Sequence, residues 1–249
     1  MNSKCCRSII VLSLAWGGSQ NSYAFDWVAN NLQLLYGGNF KLGAERRGTL
    51  TVEHSDGWKY GSNFFFADII ERGDMGTEVY SEVYSYLSLN KITQADAHWG
   101  LIQDVSLVAG LNIGNKPERE HYKAYLVGIS FNLANPWFNY LQFDITALKD
   151  DNAAGRYGIQ FTPVWSFPFT LANVHFKFRG FTDFKTANSA PNGSFQILAQ
   201  PQLLMDVGDL VGWQKDRFYV GTEAVLWHNK FGIAGVDETA IQAMAITFF

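Results

Sequence analysis

The chain has 249 residues (28.0 kDa), a formal net charge of −4 and a sequence pI near 5.7; aromatics reach 16% and charged residues only 17%. An acidic chain is a poor match for nucleic acid, and an aromatic-rich one is not disordered. No apolar run reaches the ~18 residues of a membrane helix.

Lys4 and Arg7 precede a short apolar core, Ser8 to Trp16, and Ser22-Tyr23-Ala24 supplies the small residues of a cleavage site. This is the layout of a secretory signal peptide over residues 1–24, with Phe25 as the mature N-terminus. Both cysteines, Cys5 and Cys6, fall in that segment. An exported chain without a disulfide must be held by its core or by closure of its sheet.

Twelve segments with period-2 alternation follow: 30–36, 47–54, 58–70, 78–89, 101–112, 121–132, 138–148, 155–165, 171–183, 195–206, 218–228 and 239–249. In one, Leu141, Phe143, Ile145 and Ala147 alternate with Tyr140, Gln142, Asp144 and Thr146. In another, Val174, Phe176 and Phe178 alternate with His175, Lys177 and Arg179. Such alternation marks strands with one apolar and one polar face. Turn chemistry separates them, including Ser55-Asp56-Gly57, Asn135-Pro136 and Phe167-Pro168. No helical periodicity of ten or more residues interrupts the series.

Alternation alone does not say which face is inside. Strand lengths near ~9–11 residues, Trp and Tyr near strand ends (Trp27, Trp58, Tyr60, Trp99, Trp137, Trp165, Trp213, Trp227) and a last strand closing on Phe249 point to an outer-membrane barrel. The expected fold is all-β: a single antiparallel twelve-stranded transmembrane barrel over residues 25–249. An even count lets the first and last strands pair and removes both edges. The connections expected outside are long and polar and most of the others short, with 90–100 and 207–217 as exceptions.

Polar faces of the strands then give the candidate lumen residues. They are Thr51 and Glu53; Lys59 and Asn63; Glu82, Tyr84 and Tyr86; Gln142 and Asp144; Gln160; His175, Lys177 and Arg179; Gln200 and Gln202; and Glu223. The plain alternative is a salt-bridged lining that only fills the pore, with Tyr84 and Tyr86 in an interfacial girdle. Acids opposed to Lys59, His175, Lys177 and Arg179 would make a transverse field with little net charge, suited to polar neutral solutes.

The ordered set of motifs resembles the Tsx/OmpK-like nucleoside-specific channel family. It comprises Thr51-Val52-Glu53-His54-Ser55-Asp56-Gly57-Trp58-Lys59-Tyr60-Gly61 with Asn63-Phe64-Phe65-Phe66-Ala67-Asp68, then Tyr84-Ser85-Tyr86-Leu87-Ser88-Leu89-Asn90-Lys91-Ile92. Thr162-Pro163-Val164-Trp165-Ser166-Phe167-Pro168-Phe169, Gly180-Phe181-Thr182-Asp183, Gln200 to Gly208 and Trp227-His228-Asn229-Lys230-Phe231-Gly232 continue it. The resemblance implies a bacterial outer-membrane channel passing nucleosides, delivered by the outer-membrane assembly machinery. Its partners would be lipid and small solutes, with no nucleic acid and no cofactor. The alternative role is a surface receptor whose outer loops bind phage.

An enzyme is not expected. None of the five histidines (His54, His98, His121, His175, His228) has a serine two residues on, as a Ser–His pair on one strand face requires. No cluster has metal-ligand spacing. No loop is long enough to suggest a constriction loop of the trimeric-porin kind, so a monomer is expected.

Overall fold

The computed structural model describes residues 25–249 except 117–120, 154 and 191. The expected signal peptide, 1–24, and both cysteines lie outside the described residues.

The strands are β1 (Trp27–Gly38), β2 (Arg47–Trp58), β3 (Gly61–Glu71), β4 (Thr77–Ser88), β5 (Ile102–Asn115), β6 (His121–Leu133), β7 (Tyr140–Asp150), β8 (Gly158–Leu171), β9 (Val174–Lys185), β10 (Gln196–Ala199), β11 (Gln202–Asp206), β12 (Phe218–His228) and β13 (Glu238–Phe248). All pairings are antiparallel, and β13 pairs with both β12 and β1, so the sheet closes on itself with no free edge. β10 and β11 are halves of one strand. Both lie between β9 and β12 in unbroken register, Leu198 opposite Asp183 and Trp227, Gln202 opposite Arg179 and Glu223. The break falls at Gln200-Pro201, where proline removes an amide donor. The molecule is a closed twelve-strand barrel.

Two expected turns are strand instead. Ser55-Asp56-Gly57 continues β2, and the chain reverses at Lys59-Tyr60. Gly57 is needed for close approach, because a Cβ there would lie 2.1 Å from the Trp27 indole nitrogen. β8 also runs past Phe167-Pro168, and the reversal falls at Ala172-Asn173, both left-handed (φ +49° and +63°) as a two-residue hairpin requires. Beyond Ser166 only β9 continues alongside β8, so Pro168 sits at a locally free edge that tolerates its missing N–H.

The start of β1 and the end of β13 lie at one end of the barrel, with the 59–60, 89–101, 134–139, 172–173 and 207–217 connections. The two long ones hold the short helices α1 (Leu89–Thr93) and α2 (Val207–Leu210). Six connections of five to ten residues lie at the other end, so loop length separates the two ends only weakly. Most tryptophans (Trp27, Trp58, Trp99, Trp137 and Trp213) cluster at the terminus-bearing end. Trp227 instead lies inside the far end, its indole donating to Gln196.

The polarity of the wall is inverted relative to a water-soluble barrel. Outward positions include Leu34 (60% exposed), Val127 (63%) and Ile241 (62%), with Ile145, Ile159 and Leu107 also exposed. Inward positions are polar and buried: Asn31, Gln33, Asn112, Ser130, Gln142, Asp144, Gln160, Gln202, Glu223 and Gln242. Three smaller apolar clusters also face inward, around Leu35, Leu204, Tyr219, Met244 and Ile246; around Tyr84, Val108, Leu126 and Leu148; and around Phe40, Val225 and Ala240.

Candidate functional site: the barrel lumen

Antiparallel partners share a face, so register assigns every side chain to lumen or outer wall. Thr51 and Glu53 face inward and stand opposite Asp68 and Phe66, which stand opposite Tyr80 and Glu82. The same logic puts Tyr84, Tyr86, Gln142, Asp144, Gln160, His175, Lys177, Arg179, Gln200, Gln202 and Glu223 on the lumen side. All of these but Gln142, His175 and Lys177 line a cavity of about 1210 Å³ that reaches from Trp27 and Ser166 near the terminus-bearing end to Lys116 and Asn192 near the other, with His175 and Lys177 nearer the mouth below it.

Two expected lumen residues do not belong there. Lys59 sits in the β2–β3 turn, exposed, with its ammonium 4.9 Å from the Tyr60 ring. Asn63 borders the cavity, but register puts its side chain on the outward face of β3, whose inward face is Phe64, Phe66, Asp68 and Ile70. On this strand the rings point in, so choosing the more polar face selects the wrong one. Asn63 instead joins an outer-wall chain of polar groups: it donates to Asp56 (3.0 Å) and accepts from Ser85 (2.8 Å). The His54 ring nitrogens lie 2.7 Å from Asn30 and 3.1 Å from Asp56. No hydroxyl meets the imidazole in this chain, and among the described residues no group of three or more His, Cys, Asp or Glu is arranged to hold a metal.

A polar crossbar spans the lumen at mid-height. Arg179 on β9 donates to Glu53 on β2 at 2.6 Å, although β10/β11, β12, β13 and β1 separate these strands around the wall. Glu53 also accepts from Asn31 (2.6 Å) and Gln33 (3.3 Å). Gln202 continues the bar, donating to Gln33 (3.3 Å) and Glu223 (2.7 Å), and Gln242 donates to Glu223 (3.0 Å).

On one side of the bar, inward rings of β3, β4 and β6 form an aromatic wall. Phe64–Phe66, Phe66–Tyr80, Tyr80–Tyr122 and Tyr84–Tyr86 have centroids 6.1, 6.0, 6.2 and 6.4 Å apart. Tyr84 lies flat against β5, where a Cβ on Gly110 would come within 2.4 Å of its ring, and its hydroxyl donates to Asn112 (3.1 Å). Neither Tyr84 nor Tyr86 belongs to an outer girdle. Carboxylates are set into this wall: Tyr80 donates to Glu82 (2.5 Å), Tyr86 to Asp144 (3.0 Å) and Thr51 to Asp68 (2.5 Å). Across from them, Asp183 accepts from Gln160 and Thr162 and pairs with Lys185 at 3.2 Å.

The other expected cations do not face these acids. His175 pairs with Asp209 from α2 at 2.7 Å, and Lys177 lies over the rings of Tyr219 (4.6 Å) and Phe248 (4.9 Å). The expected balance of opposed charges is therefore not what forms. At the far mouth the short β12–β13 connection turns inward and brings Lys230, Phe231 and Ile233 to the cavity. It is pinned by the buried Lys230–Glu238 ion pair and by Asn192 donating to the Phe231 carbonyl. Burial pushes the Lys230 ammonium below its usual value, against the pull of Glu238. Phe231 is left-handed (φ +56°) and packs edge-on to Trp227 at 4.7 Å.

Sequence reasoning missed Phe64, Phe66, Asp68, Tyr80, Tyr122, Asp183 and Lys185 as lumen groups. Asp68 and Asp183 were legible, since each stands at an even spacing from another inward residue of its own strand once that strand's parity is known.

A family model spans nearly all of this barrel, residues 29–248. The chain belongs to the family described as "Domain of unknown function (DUF5020)". No curated protein matches it. Among solved structures it is similar to "KdgM porin" (8% identity, TM-score 0.48) and to "KdgM porin in complex with disordered oligogalacturonate" (8% identity, TM-score 0.47). Each alignment covers 89% of this chain and 99% of the other.

Proposed function

We propose that this member of the DUF5020 family is an outer-membrane channel for passive uptake of nucleosides or similar small polar solutes. One observation carries the reading: an apolar outer wall surrounds a polar lumen whose cavity runs along the barrel. Water would not stabilise such an exterior, whereas a bilayer core would, and a closed sheet satisfies every strand's backbone within it. Among the described residues no helix is long and apolar enough to cross a membrane, so crossing would rest on the strands.

A barrel of ~8 strands is filled by its side chains and one of 16–18 leaves a wide channel; twelve gives a passage narrow enough to select. Nucleoside preference rests on the motif resemblance and on the aromatic wall, where a base gains about 1–3 kcal/mol per stacked ring. Ribose hydroxyls find acceptors in Glu53, Asp144 and Glu223. Weak, multi-site contacts of this kind let a solute leave as readily as it enters.

Two measurements test the proposal. The folded protein is expected to run faster on an unheated gel than after boiling and to be recovered with outer membranes. In planar bilayers it should conduct, and adenosine should block the current at concentrations where glucose does not. Recovery as a soluble protein, or equal block by both solutes, would refute the membrane or the nucleoside part respectively.

A further inference from the structure

Within the channel reading, the distribution of charge and of unpaired acceptors specifies the solute further. Six carboxylates, Glu53, Asp68, Glu82, Asp144, Asp183 and Glu223, face the middle of the lumen. Two are paired with cations, Glu53 with Arg179 and Asp183 with Lys185. Among the described residues the other four have no ion-pair partner and are held by neutral donors alone: Thr51 on Asp68, Tyr80 and Asn112 on Glu82, Tyr86 and Gln142 on Asp144, Gln202 and Gln242 on Glu223. They lie within electrostatic reach of one another across the lumen, Asp68 with Glu223, Glu82 and Glu53, and Glu82 with Asp183; Lys185 also reaches Glu82, and Arg179 reaches Glu223.

A second observation is independent of the acids. Gln160, Gln202 and Gln242 line the cavity at 3%, 6% and 4% exposure, and in each the side-chain oxygen has no hydrogen-bond partner in the protein. Their amide nitrogens are all engaged, on Asp183, Glu223 and Gln33. Among the described residues, unpartnered acceptors at the lumen (these three and Glu238 Oε1) outnumber the unpartnered donors there (Ser130 Oγ and Trp165 Nε1). A buried acceptor without a donor is costly, so such a lining favours a guest that donates.

A third concerns the rings. Lys177 lies 4.6 and 4.9 Å from the Tyr219 and Phe248 rings, so the lumen already seats an ammonium on aromatic faces. The wall of Phe64, Phe66, Tyr80, Tyr84 and Tyr86 offers the same faces beside Asp68, Glu82 and Asp144, and among the described residues no lysine or arginine lies over these rings. Aromatic faces framed by carboxylates are the usual recognition chemistry for ammonium groups.

We infer that the mid-lumen is a binding site for small solutes carrying an ammonium group, and that the channel is cation-selective. An ammonium would pass along the aromatic wall, exchanging water for ring faces and for the acceptors of Asp68, Glu82, Asp144 and Gln160. Anionic solutes, phosphorylated ones included, would meet an excess of like charge, since Arg179, Lys185 and Lys230 are each already paired with a lumen carboxylate.

The test uses the intact barrel in planar bilayers under a potassium chloride gradient, with choline and spermidine as blockers and glucose and adenosine as comparisons. The reversal potential should lie toward the potassium equilibrium, and choline and spermidine should block at lower concentrations than adenosine. Asp68→Asn with Glu223→Gln, which keeps volume, removes two charges and gives up one of the two acceptors that Gln202 and Gln242 use on Glu223, should raise the half-blocking spermidine concentration by about tenfold and shift reversal toward zero. Heat-modifiable gel migration shows whether that variant folds; if it does not, the wild-type reversal potential and the choline-to-adenosine ratio still decide. Chloride preference, or block by adenosine but not by choline, overturns this inference and leaves the channel reading standing. A folded protein that passes no current overturns both.

Discussion

The orientation of the wall can be tested on one strand. In β9, Phe178 faces outward, 37% exposed, packed 5.8 Å from Trp165, while Lys177 and Arg179 on either side face the lumen. Phe178 lies about 5 Å along the strand from its midpoint at ~3.3 Å per residue, hence about 4 Å in depth for a tilt of ~40°. Phe184 faces outward on the same strand, stacked 5.9 Å from Phe161, but about 15 Å along it from the midpoint and about 11 Å in depth. That is near the edge of an apolar band ~25 Å tall. Arginine on the lipid face costs roughly 2–4 kcal/mol at the midplane and about 0–1 near the interface. Each site also loses a ring pair of ~0.5–1.5 kcal/mol, which a leucine variant removes equally. Phe178→Arg relative to Phe178→Leu should therefore lower the folding constant by about 30-fold to nearly 1000-fold, and Phe184→Arg relative to Phe184→Leu by less than about tenfold. Denaturant titration in phospholipid vesicles, read by tryptophan fluorescence, gives both differences. If arginine is accepted at 178 as easily as at 184, the outer wall does not face lipid and the orientation is wrong.

Three other perturbations follow from the lumen. Gly110→Val forces the Tyr84 ring off β5 and should destabilise by ~1–3 kcal/mol in the same titration, with Tyr84→Ala in the same chain recovering part of the loss; no effect would mean the ring is not seated there. Arg179→Gln opens the crossbar, so single-channel conductance should rise, while stability falls by only about 1 kcal/mol because Asn31 and Gln33 still hold Glu53; unchanged conductance would place the constriction elsewhere. Phe231→Gly relieves a left-handed backbone worth ~1 kcal/mol and clears the far mouth. Conductance should rise with reversal potential unchanged, and a fall would show that the loop holds the mouth open.

The sequence by itself determined the fold and most strand limits. Alternation of Leu141, Phe143, Ile145 and Ala147 with Tyr140, Gln142, Asp144 and Thr146 is local, set by the two-residue period of a pleated strand, and it survives any arrangement of the sheet. It also gave twelve strand positions, β10 and β11 included, because Pro201 interrupts hydrogen bonding without shifting register. Composition could not decide the inward face of β3, where Phe64 and Phe66 enter the lumen and Asn63 leaves it; the partners Glu53 and Glu82 on neighbouring strands decide it. The turn at Lys59-Tyr60 was equally hidden, since Gly57 looked like a turn residue and is instead the place where Trp27 lies against the strand. Charge pairing was the least legible. Arg179 and Glu53 are 126 residues apart and meet only because closing the sheet sets their strands across one lumen. The same closure leaves Asp68, Glu82, Asp144 and Glu223 facing one lumen, none of them in a direct ion pair among the described residues. Strand spacing is written in the sequence, but which charges share a cavity depends on barrel stagger, a property of all twelve strands together.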